Sequence, residues 1–250
     1  MHFTYEETDK IGTRATLGLI TLQSDETIEH DMRRMLPIED VALYVSRVES
    51  APDVSEETLG QMEARLPASA QLFPRPVEFD VVGYGCTSGT SVIGAEKVAE
   101  LVAIGCATKA VTEPLSALIA ACAALGVERL GFLSPYVAEV SDTLRGAVHR
   151  AGVQTTAFGS FNEEREERVA RIAPQSIVSA AAALADAGDF DALFMSCTNL
   201  RTLDVIDEIE RRIGKPVLSS NQVLAWHMAQ TAGLQLAASF GALTRPRAAA

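Results

Sequence analysis

Two cysteines stand at equivalent places in two copies of one short pattern. Phe79-Asp80 is followed after five residues by Cys86-Thr87, and Phe190-Asp191 is followed after the same number by Cys197-Thr198. An apolar run fills each gap, which predicts two buried strands that each end at a thiol. Thiols on two walls of one cleft can remove a proton from one face of a carbon and deliver one to the other face. Alternatively, one thiolate can add to an activated alkene and later leave.

Small polar residues follow both cysteines and favour the binding of a carboxylate. We expect the chain after each cysteine to enter a helix, because the first backbone amides and the dipole of a helix attract anions. The same field is expected to lower the pKa of the preceding thiol, and the thiolate is the reactive form. The residues concerned are Thr87, Ser88, Gly89, Thr90 and Ser91 after the first cysteine, and Thr198 and Asn199 after the second.

Short apolar runs alternate with helical stretches along the chain, a pattern typical of a parallel α/β sheet. Glycines follow several of the predicted helices and act as C-terminal caps. The predicted strands are residues 16–22, 42–48, 81–85, 107–111, 129–133, 153–158, 192–196 and 216–218. The predicted helices are residues 24–35, 58–70, 114–125, 141–151, 174–187, 202–213 and 222–231.

The repeat extends beyond the cysteines to whole strand-helix units. Residues 17–20 (LGLI) resemble residues 130–133 (LGFL), and residues 104–105 match residues 213–214. We therefore predict two α/β lobes with flavodoxin-like parallel sheets, related by a pseudo-twofold axis, with the active site between them. We also expect the final elements to be exchanged between the lobes. The predicted division assigns residues 1–115 and about 216–236 to the first lobe, residues 116–215 to the second lobe and residues 237–250 to a C-terminal tail without regular structure.

The composition excludes several classes of partner. The 250 residues carry a formal net charge of -12, which argues against binding to nucleic acid or to an anionic membrane. No apolar run approaches the roughly 20 residues that span a bilayer, and the N-terminus lacks the basic-then-apolar order of a signal peptide. We therefore expect a cytoplasmic protein. The acidic run at residues 163–167 is interpreted as a solvated face.

The remaining cysteines and the histidines show no metal-binding pattern. Cys106 and Cys122 lie in apolar surroundings and are interpreted as core residues. No Cys-x-x-Cys pattern or Cys/His cluster has zinc-ligand spacing, and a reducing cytoplasm argues against disulfides. The sequence thus predicts a site without a metal.

Around the paired cysteines the chain resembles the Asp/Glu racemase superfamily, and within it the branch of the maleate isomerases and arylmalonate decarboxylases. The resemblance is carried by residues 85–91 (GCTSGTS), residues 196–204 (SCTNLRTLD) and residues 209–221. It implies a two-lobed α/β fold and an enzyme that acts on a small carboxylate or amino acid between the lobes. It also implies that the enzyme needs no metal or organic cofactor and forms a homo-oligomer.

The resemblance assigns roles to individual residues. Cys86 and Cys197 match the two catalytic positions. Tyr136 matches a tyrosine that orients a substrate carboxylate, and the internal repeat places Gln23 opposite it. The other predicted substrate-binding residues are Thr87, Ser88, Thr198 and Asn199, which follow the cysteines, and Ser24 in the loop after the first strand.

Departures from the family pattern leave the reaction and the substrate open. The decarboxylases have glycine where Cys86 stands, which favours an isomerase with two sulfurs, either a racemase or a cis-trans isomerase. Maleate isomerases place one asparagine in the first-strand loop, where this chain has Gln23, Ser24 and Asp25, and another after the sixth strand, near Asn162. These differences disfavour maleate. The alternatives are a racemase of amino acids or N-acyl amino acids of the ectoine-utilisation type, an arylmalonate-type decarboxylase and a non-catalytic carboxylate-binding protein.

Overall fold

The strands of the chain form two four-stranded parallel sheets. The computed structural model describes residues 1–37 and 39–245. The strands are β1 (Ala15–Leu22), β2 (Val41–Val48), β3 (Val81–Gly85), β4 (Val111–Thr112), β5 (Arg129–Ser134), β6 (Gln154–Ser160), β7 (Ala192–Met195) and β8 (Val217–Ser219). The first sheet has the order β2-β1-β3-β4, and the second has the order β6-β5-β7-β8. All neighbouring strands in both sheets are parallel.

Helices connect the strands and cover both sheets. They are α1 (Ile28–Met35), α2 (Glu56–Ala70), α3 (Thr87–Ile93), α4 (Ala95–Gly105), α5 (Pro114–Leu125), α6 (Ala138–Arg150), α7 (Glu166–Val169), α8 (Pro174–Ala187), α9 (Ile206–Ile213), α10 (Ser220–Thr231) and α11 (Gly241–Thr244), with a 3-10 turn at Leu203–Val205. No helix within the described ranges has both the length and the apolar character needed to cross a membrane.

The two sheets have the same strand order, so the predicted α/β fold of two related parallel-sheet lobes is confirmed. Several predicted elements differ in extent, among them one strand and the first helix. The predicted strand over residues 107–111 is too long toward its start, because regular pairing with β3 covers only Val111 and Thr112. Helix α1 begins at Ile28 and not at residue 24, because the Asp25 carboxylate accepts the backbone amides of Thr27 and Ile28 (2.8 Å each) and holds this segment in a turn.

Equivalent residues make equivalent contacts in the two lobes. Asp80 Oδ2 accepts a hydrogen bond from the backbone amide of Thr16 (2.8 Å), and Asp191 Oδ2 accepts one from the amide of Arg129 (2.9 Å). Each aspartate thus ties the first strand of its lobe to the strand that ends at the cysteine. The repeated Phe-Asp pattern therefore has a structural role in aligning these two strands.

Helices α5 and α10 each pack against the sheet formed by the other half of the sequence. Helix α5 follows the first sheet in the chain, yet Leu118 and Cys122 lie in one core cluster with Phe132 of the second sheet. Helix α10 follows β8 and approaches the first sheet, where a Cβ at Gly83 would lie 2.6 Å from the sulfur of Met228. These contacts join the lobes into one packed body.

The position of β8 differs from the predicted division of the chain into lobes. The prediction assigned residues 216–236 to the first lobe, but Val217 pairs with Leu193 of β7, so β8 is the edge of the second sheet. The segment predicted as a tail contains α11, and the amide of Ala242 donates to Glu210 Oε1 (2.8 Å), which attaches α11 to α9. The lobe boundaries otherwise stay a prediction.

Two segments from opposite lobes meet above the carboxyl ends of the strands. Asp53 and Arg165 form an antiparallel bridge between the lobes. The amide of Val54 donates to the carbonyl oxygen of Glu164 (3.1 Å), and the amide of Glu166 donates back to this first-lobe segment. The strand ends that carry the cysteines are therefore covered.

Candidate active site

Cys86 lies where β3 meets helix α3. It is the N-cap residue of this helix, and its Sγ accepts a hydrogen bond from the amide of Gly89 (3.1 Å). Only glycine fits at position 89, because a Cβ there would lie 2.9 Å from the sulfur and 2.6 Å from Tyr84 Oη. The helix N-terminus therefore directs an N–H group at the first sulfur.

Cys197 follows β7 in a different backbone environment. Its φ of 93° lies in the left-handed region, which is strained for a residue with a side chain. The expected helix directly after this cysteine does not form, since the next helical turn begins at Leu203. Instead, the amide of Asn199 donates to Cys197 Sγ (3.3 Å) within the turn. The prediction of a second helix N-terminus at the site is therefore wrong.

A network of buried side chains surrounds Cys197. Tyr136 Oη lies 2.9 Å from Cys197 Sγ and donates a hydrogen bond to Glu166 Oε1 (2.6 Å). Asn199 Nδ2 donates to the other oxygen of Glu166 (2.7 Å). All four side chains belong to buried residues. Tyr136 and Asn199, two predicted site residues, thus both donate hydrogen bonds to Glu166.

The loop after β1 contributes a second buried carboxylate. Thr198 Oγ1 donates to Asp25 Oδ2 (2.7 Å), while Asp25 Oδ1 accepts the amides of Thr27 and Ile28. Ile28 packs against Gly85, where a Cβ would lie 2.7 Å from its Cδ1, so helix α1 holds this loop at the end of β3. Asp25 therefore connects the first lobe to the second Cys-Thr pair.

The two Cys-Thr pairs are joined through one serine. Thr87 Oγ1 donates to Ser220 Oγ (2.8 Å), and Ser220 Oγ accepts the backbone amide of Cys197 (3.0 Å). Thr198 Oγ1 also lies 3.3 Å from the carbonyl oxygen of Gly85, at the end of β3. Because Ser220 is the first residue of α10, this helix holds both halves of the site together.

Burial opposes ionisation of every acidic group at this site. Burial is the largest cause that raises the pKa of the Cys86 thiol to about 12 and the pKa of the Cys197 thiol well above its usual value. The Glu166 and Asp25 carboxylates add to both shifts, and burial raises the pKa of each carboxyl group as well. The expected lowering of the thiol pKa is therefore wrong. The amide of Gly89 does lower the pKa of Cys86, but the effect of burial is larger.

The other predicted binding residues lie at different distances from the cysteines. Ser88 is buried beside Cys86, and its hydroxyl has no hydrogen-bond partner in the described part of the chain. Gln23 is exposed, and the hydroxyl of Ser24 lies 3.1 Å from that of Ser50. The residue of this loop that reaches the network is Asp25. A substrate-binding role for Gln23 or Ser24 stays a prediction.

Glu166 and Ser220 are the site residues that sequence reasoning missed. The interpretation of residues 163–167 as a solvated face is wrong for Glu166, which is 3% exposed. Asn162, which lies near the place of an asparagine in the maleate isomerases, is exposed. A signal for Glu166 exists in its position three residues before the buried Val169, since this spacing places both on one face of a helical turn.

The site is closed to a substrate in this structure. A cavity of about 10 Å³ lies beside Glu166, between Leu22, Val54 and Met62. This space is no larger than a single water molecule needs. Asp53, Val54 and Glu166, which belong to the bridge between the lobes, line this cavity. The described residues contain no cluster of three or more His, Cys, Asp or Glu side chains arranged to hold a metal ion.

The chain belongs to the arylmalonate decarboxylase family. The family model matches residues 81–244, which are more than half of the chain and include both cysteines. Together with the maleate isomerases described below, this family forms a branch of the Asp/Glu racemase superfamily. The resemblance inferred from the two Cys-Thr patterns is thereby confirmed.

Relatives with known names are decarboxylases and isomerases. The arylmalonate decarboxylase of Bordetella bronchiseptica is 33% identical over 111 residues, which are 44% of this chain and 46% of the decarboxylase. The maleate isomerase of Nocardia farcinica is 25% identical over 232 residues, which are 88% of this chain and 91% of the isomerase. The similarity to the isomerase therefore extends over both lobes.

Solved structures show the same fold. The crystal structure of the maleate isomerase Iso from Pseudomonas putida S16 has a TM-score of 0.82 at 22% identity, over 92% of this chain and 98% of that one. A variant of the Nocardia farcinica maleate cis-trans isomerase has a TM-score of 0.78 at 24% identity, over 92% of this chain and 98% of that one. That structure contains a covalently bound succinylcysteine intermediate.

Proposed function

We propose that the protein is a cofactor-independent isomerase of a small carboxylate or amino acid, in which Cys86 and Cys197 act on one substrate from two sides. The observation that carries this proposal is that both buried Cys-Thr pairs are joined through Ser220 in one site. The relatives support an enzyme, because they are named as isomerases and decarboxylases, and one of them forms a covalent bond through cysteine.

The hydrogen bonds favour complementary protonation states for the two sulfurs. Tyr136 has one hydroxyl proton, which it donates to Glu166, so its oxygen is left to accept the S–H proton of Cys197. Both sulfurs accept a backbone N–H, from Gly89 at Cys86 and from Asn199 at Cys197, so the difference between them lies in this contact with Tyr136. Cys197 therefore begins the reaction as a thiol, and Cys86 is the sulfur that becomes a thiolate.

A thiolate at Cys86 and a thiol at Cys197 are the protonation states that a racemisation needs. The Cys86 thiolate takes the hydrogen of the substrate α-carbon as a proton, so that an S–H bond forms as the C–H bond breaks. The Cys197 thiol then gives its proton to the opposite face of the carbon, and the roles exchange in the reverse direction. The substrate carboxylate, which takes up the developing charge, lies against Thr87 and Ser88 at the start of α3.

The same residues suit a cis-trans isomerisation. The Cys86 thiolate adds to an activated alkene, and the resulting C–C single bond rotates before the C–S bond breaks again. Solvent deuterium separates the two reactions, because only racemisation requires exchange at the α-carbon.

The family that the chain belongs to is named for arylmalonate decarboxylase, so an arylmalonate-type decarboxylase is the second candidate. After loss of carbon dioxide, this reaction needs one proton donor, a role that Cys197 fills. It leaves Cys86 and its hydrogen bond from Gly89 without a part in the chemistry. Release of carbon dioxide from an arylmalonate, unchanged in Cys86→Ser, would favour this candidate over the isomerase.

Single substitutions of the two cysteines test the isomerase. Acidic, diamino and N-acyl amino acids are incubated in deuterium oxide and followed by NMR, and maleate is followed for fumarate. Cys86→Ser and Cys197→Ser are each expected to lower turnover by about 10²- to 10⁴-fold. Circular dichroism checks that both variants remain folded.

Cys106→Ser serves as the control, because Cys106 is a half-buried residue at the end of α4 and outside the site. It should keep full activity. Full activity in both site variants would disprove a two-cysteine isomerase.

A further inference from the structure

Glu166 places a buried carboxyl group in a site that must form a thiolate. Each of its oxygens accepts one hydrogen bond, from Tyr136 Oη and from Asn199 Nδ2, although a carboxylate can accept about four. Within the described ranges, no Lys, Arg or His side chain lowers the pKa of Glu166. A buried charge without a counter-ion is unfavourable. A cationic group of a ligand beside Glu166 therefore stabilises its carboxylate.

Asp25, the other buried carboxylate, is bound differently. Its Oδ1 accepts two backbone amides at the start of α1, and its Oδ2 accepts the hydroxyl of Thr198. Bonds to backbone amides at a helix start are those of a structural cap. Among the described residues, the carboxylate of Glu166 instead hydrogen-bonds only with Tyr136 and Asn199, two side chains of the site itself. Glu166 is thus the carboxylate that is available to a ligand.

The opposite half of the site offers groups of the complementary kind. The hydroxyl of Ser88, a residue only 3% exposed, has no hydrogen-bond partner in the part of the chain that the structure describes. Ser88 lies in the first turn of α3, where backbone amides lack partners within the helix. Buried donors at a helix start bind an anion such as a carboxylate. The part of the site around Cys86 therefore favours an anionic group. The part around Cys197 and Glu166 favours a cationic group.

We propose that Glu166 binds the ammonium group of the substrate, so that the substrate is an α-amino acid with a free amino group and Glu166 determines specificity. The inference rests on the proposed function, because it places the α-carbon of the amino acid between Cys86 and Cys197. A second carboxylate in the same position, as in maleate, is repelled by Glu166. An ammonium group also neutralises a charge that opposes ionisation of both thiols, so substrate binding promotes formation of the thiolate.

Titration calorimetry with matched pairs of ligands tests the role of Glu166. The pairs alanine and propionate, aspartate and succinate, and 2,4-diaminobutyrate and 4-aminobutyrate differ only in the α-ammonium group. We expect at least one amino acid to bind about tenfold or more tightly than its counterpart, because a hydrogen bond to a charged group is among the stronger ones. Glu166→Gln is expected to remove this preference and to strengthen the binding of succinate.

Glu167→Gln is the matched control, since it makes the same chemical change at an exposed neighbour. It should bind all ligands as the unmodified protein does. Glu166→Asp keeps the charge and should keep part of the preference, which provides a second measurement if Glu166→Gln fails to fold. Equal binding within all three pairs, or a preference that survives in folded Glu166→Gln, would overturn the inference.

The titrations do not require turnover, so the two proposals fail separately. If the protein prefers amino acids but converts none of them, the isomerase is rejected and the ammonium site at Glu166 stands. If it isomerises a dicarboxylate and shows no such preference, the isomerase stands and the ammonium site is rejected.

Discussion

The two cysteine half-sites share a sequence pattern, yet the protein holds their sulfurs by different means. Cys86 has an extended backbone at the start of a helix, and its sulfur receives the N–H of Gly89. Cys197 has a positive φ, and its sulfur contacts Tyr136, which is tied to Glu166. Each sulfur accepts one backbone N–H and has one tyrosine hydroxyl beside it, Tyr84 at Cys86 and Tyr136 at Cys197. Tyr84 donates to the sulfur of Met62, whereas Tyr136 donates to the buried carboxyl group of Glu166.

This difference teaches how a symmetric fold can support an asymmetric reaction. The repeat brings both sulfurs to strand ends, but two identical surroundings would favour the same protonation state in both thiols. Transfer of a proton across a substrate needs one acceptor and one donor. Glu166 and Tyr136 lie outside the repeated pattern and supply the asymmetry at Cys197.

The Cys197 half depends on a further buried acid, Asp31 of α1. Asn221 Nδ2 donates both to Asp31 Oδ2 and to the carbonyl oxygen of Thr198 (2.8 Å each). Burial raises the pKa of Asp31 from 3.8 to about 6. An acid whose pKa is raised by folding contributes stability that is complete below its unfolded pKa and is lost as the pH rises through its folded pKa. The contribution of Asp31 is therefore lost between about pH 4 and pH 6.

We expect Asp31→Asn to remove this loss, which is the largest effect on stability in this comparison. Relative to the unmodified protein, the variant should gain about 3 kcal/mol between pH 4 and pH 7, because each unit of pKa shift corresponds to about 1.4 kcal/mol. Urea unfolding at the two pH values measures the change. Asp204→Asn should show no such gain, since the Arg34 side chain lowers the pKa of exposed Asp204. An identical pH dependence in Asp31→Asn and the unmodified protein would contradict the expectation.

The backbone difference between the two cysteines predicts different responses to glycine. At position 197 the positive φ penalises any side chain, so Cys197→Gly should be more stable than Cys197→Ala by about 1 kcal/mol. At position 86 the backbone is extended and the residue is an N-cap, so the entropic cost of glycine offsets its advantage over alanine as a cap, and the two variants should differ by less than about 0.5 kcal/mol. The free energy of unfolding of the four variants, measured in urea, checks the pair. An equal preference for glycine at both positions would mean that the positive φ of Cys197 has no effect on stability.

The strand ends and both sulfurs could be predicted from the sequence, because they depend on local patterns. Apolar runs of strand length precede both cysteines, and each Phe-Asp pair repeats at a fixed distance. The aspartates of these pairs also bond to equivalent strands in the structure, so the repeat in sequence corresponds to a repeat in contacts.

The burial of Glu166 could not be predicted in this way. The spacing of three residues between Glu166 and Val169 is a local signal, but this spacing does not show that a glutamate in a run with Glu163 and Glu167 is buried. It is buried where residues 164–166 pair with residues 52–54, which belong to the other lobe and lie more than 100 residues earlier in the chain. The expected lowering of the thiol pKa failed for the same reason, since burial of both sulfurs arises only when the lobes come together.

The reactivity of the thiols gives the smallest expected effect and the sharpest comparison of the two half-sites. Iodoacetamide labelling across a range of pH, resolved by mass spectrometry of peptides, should give a lower apparent pKa for Cys86 than for Cys197. Burial raises the pKa of Cys86 to about 12 and the pKa of Cys197 well above its usual value, and the Glu166 carboxylate is the second-largest cause at Cys197 but only the third-largest at Cys86. Glu166→Gln should therefore lower the pKa of Cys197 more than that of Cys86.

Cys122 controls for opening of the protein during labelling. Burial alone raises the pKa of Cys122 to about 12, in a core cluster outside the site, so Glu166→Gln should leave its labelling unchanged. Equal shifts at all three cysteines would mean that the substitution loosens the whole fold. Equal shifts at Cys86 and Cys197 alone would mean that Glu166 acts on both sulfurs alike, and the asymmetry would then have to come from the helix at Cys86.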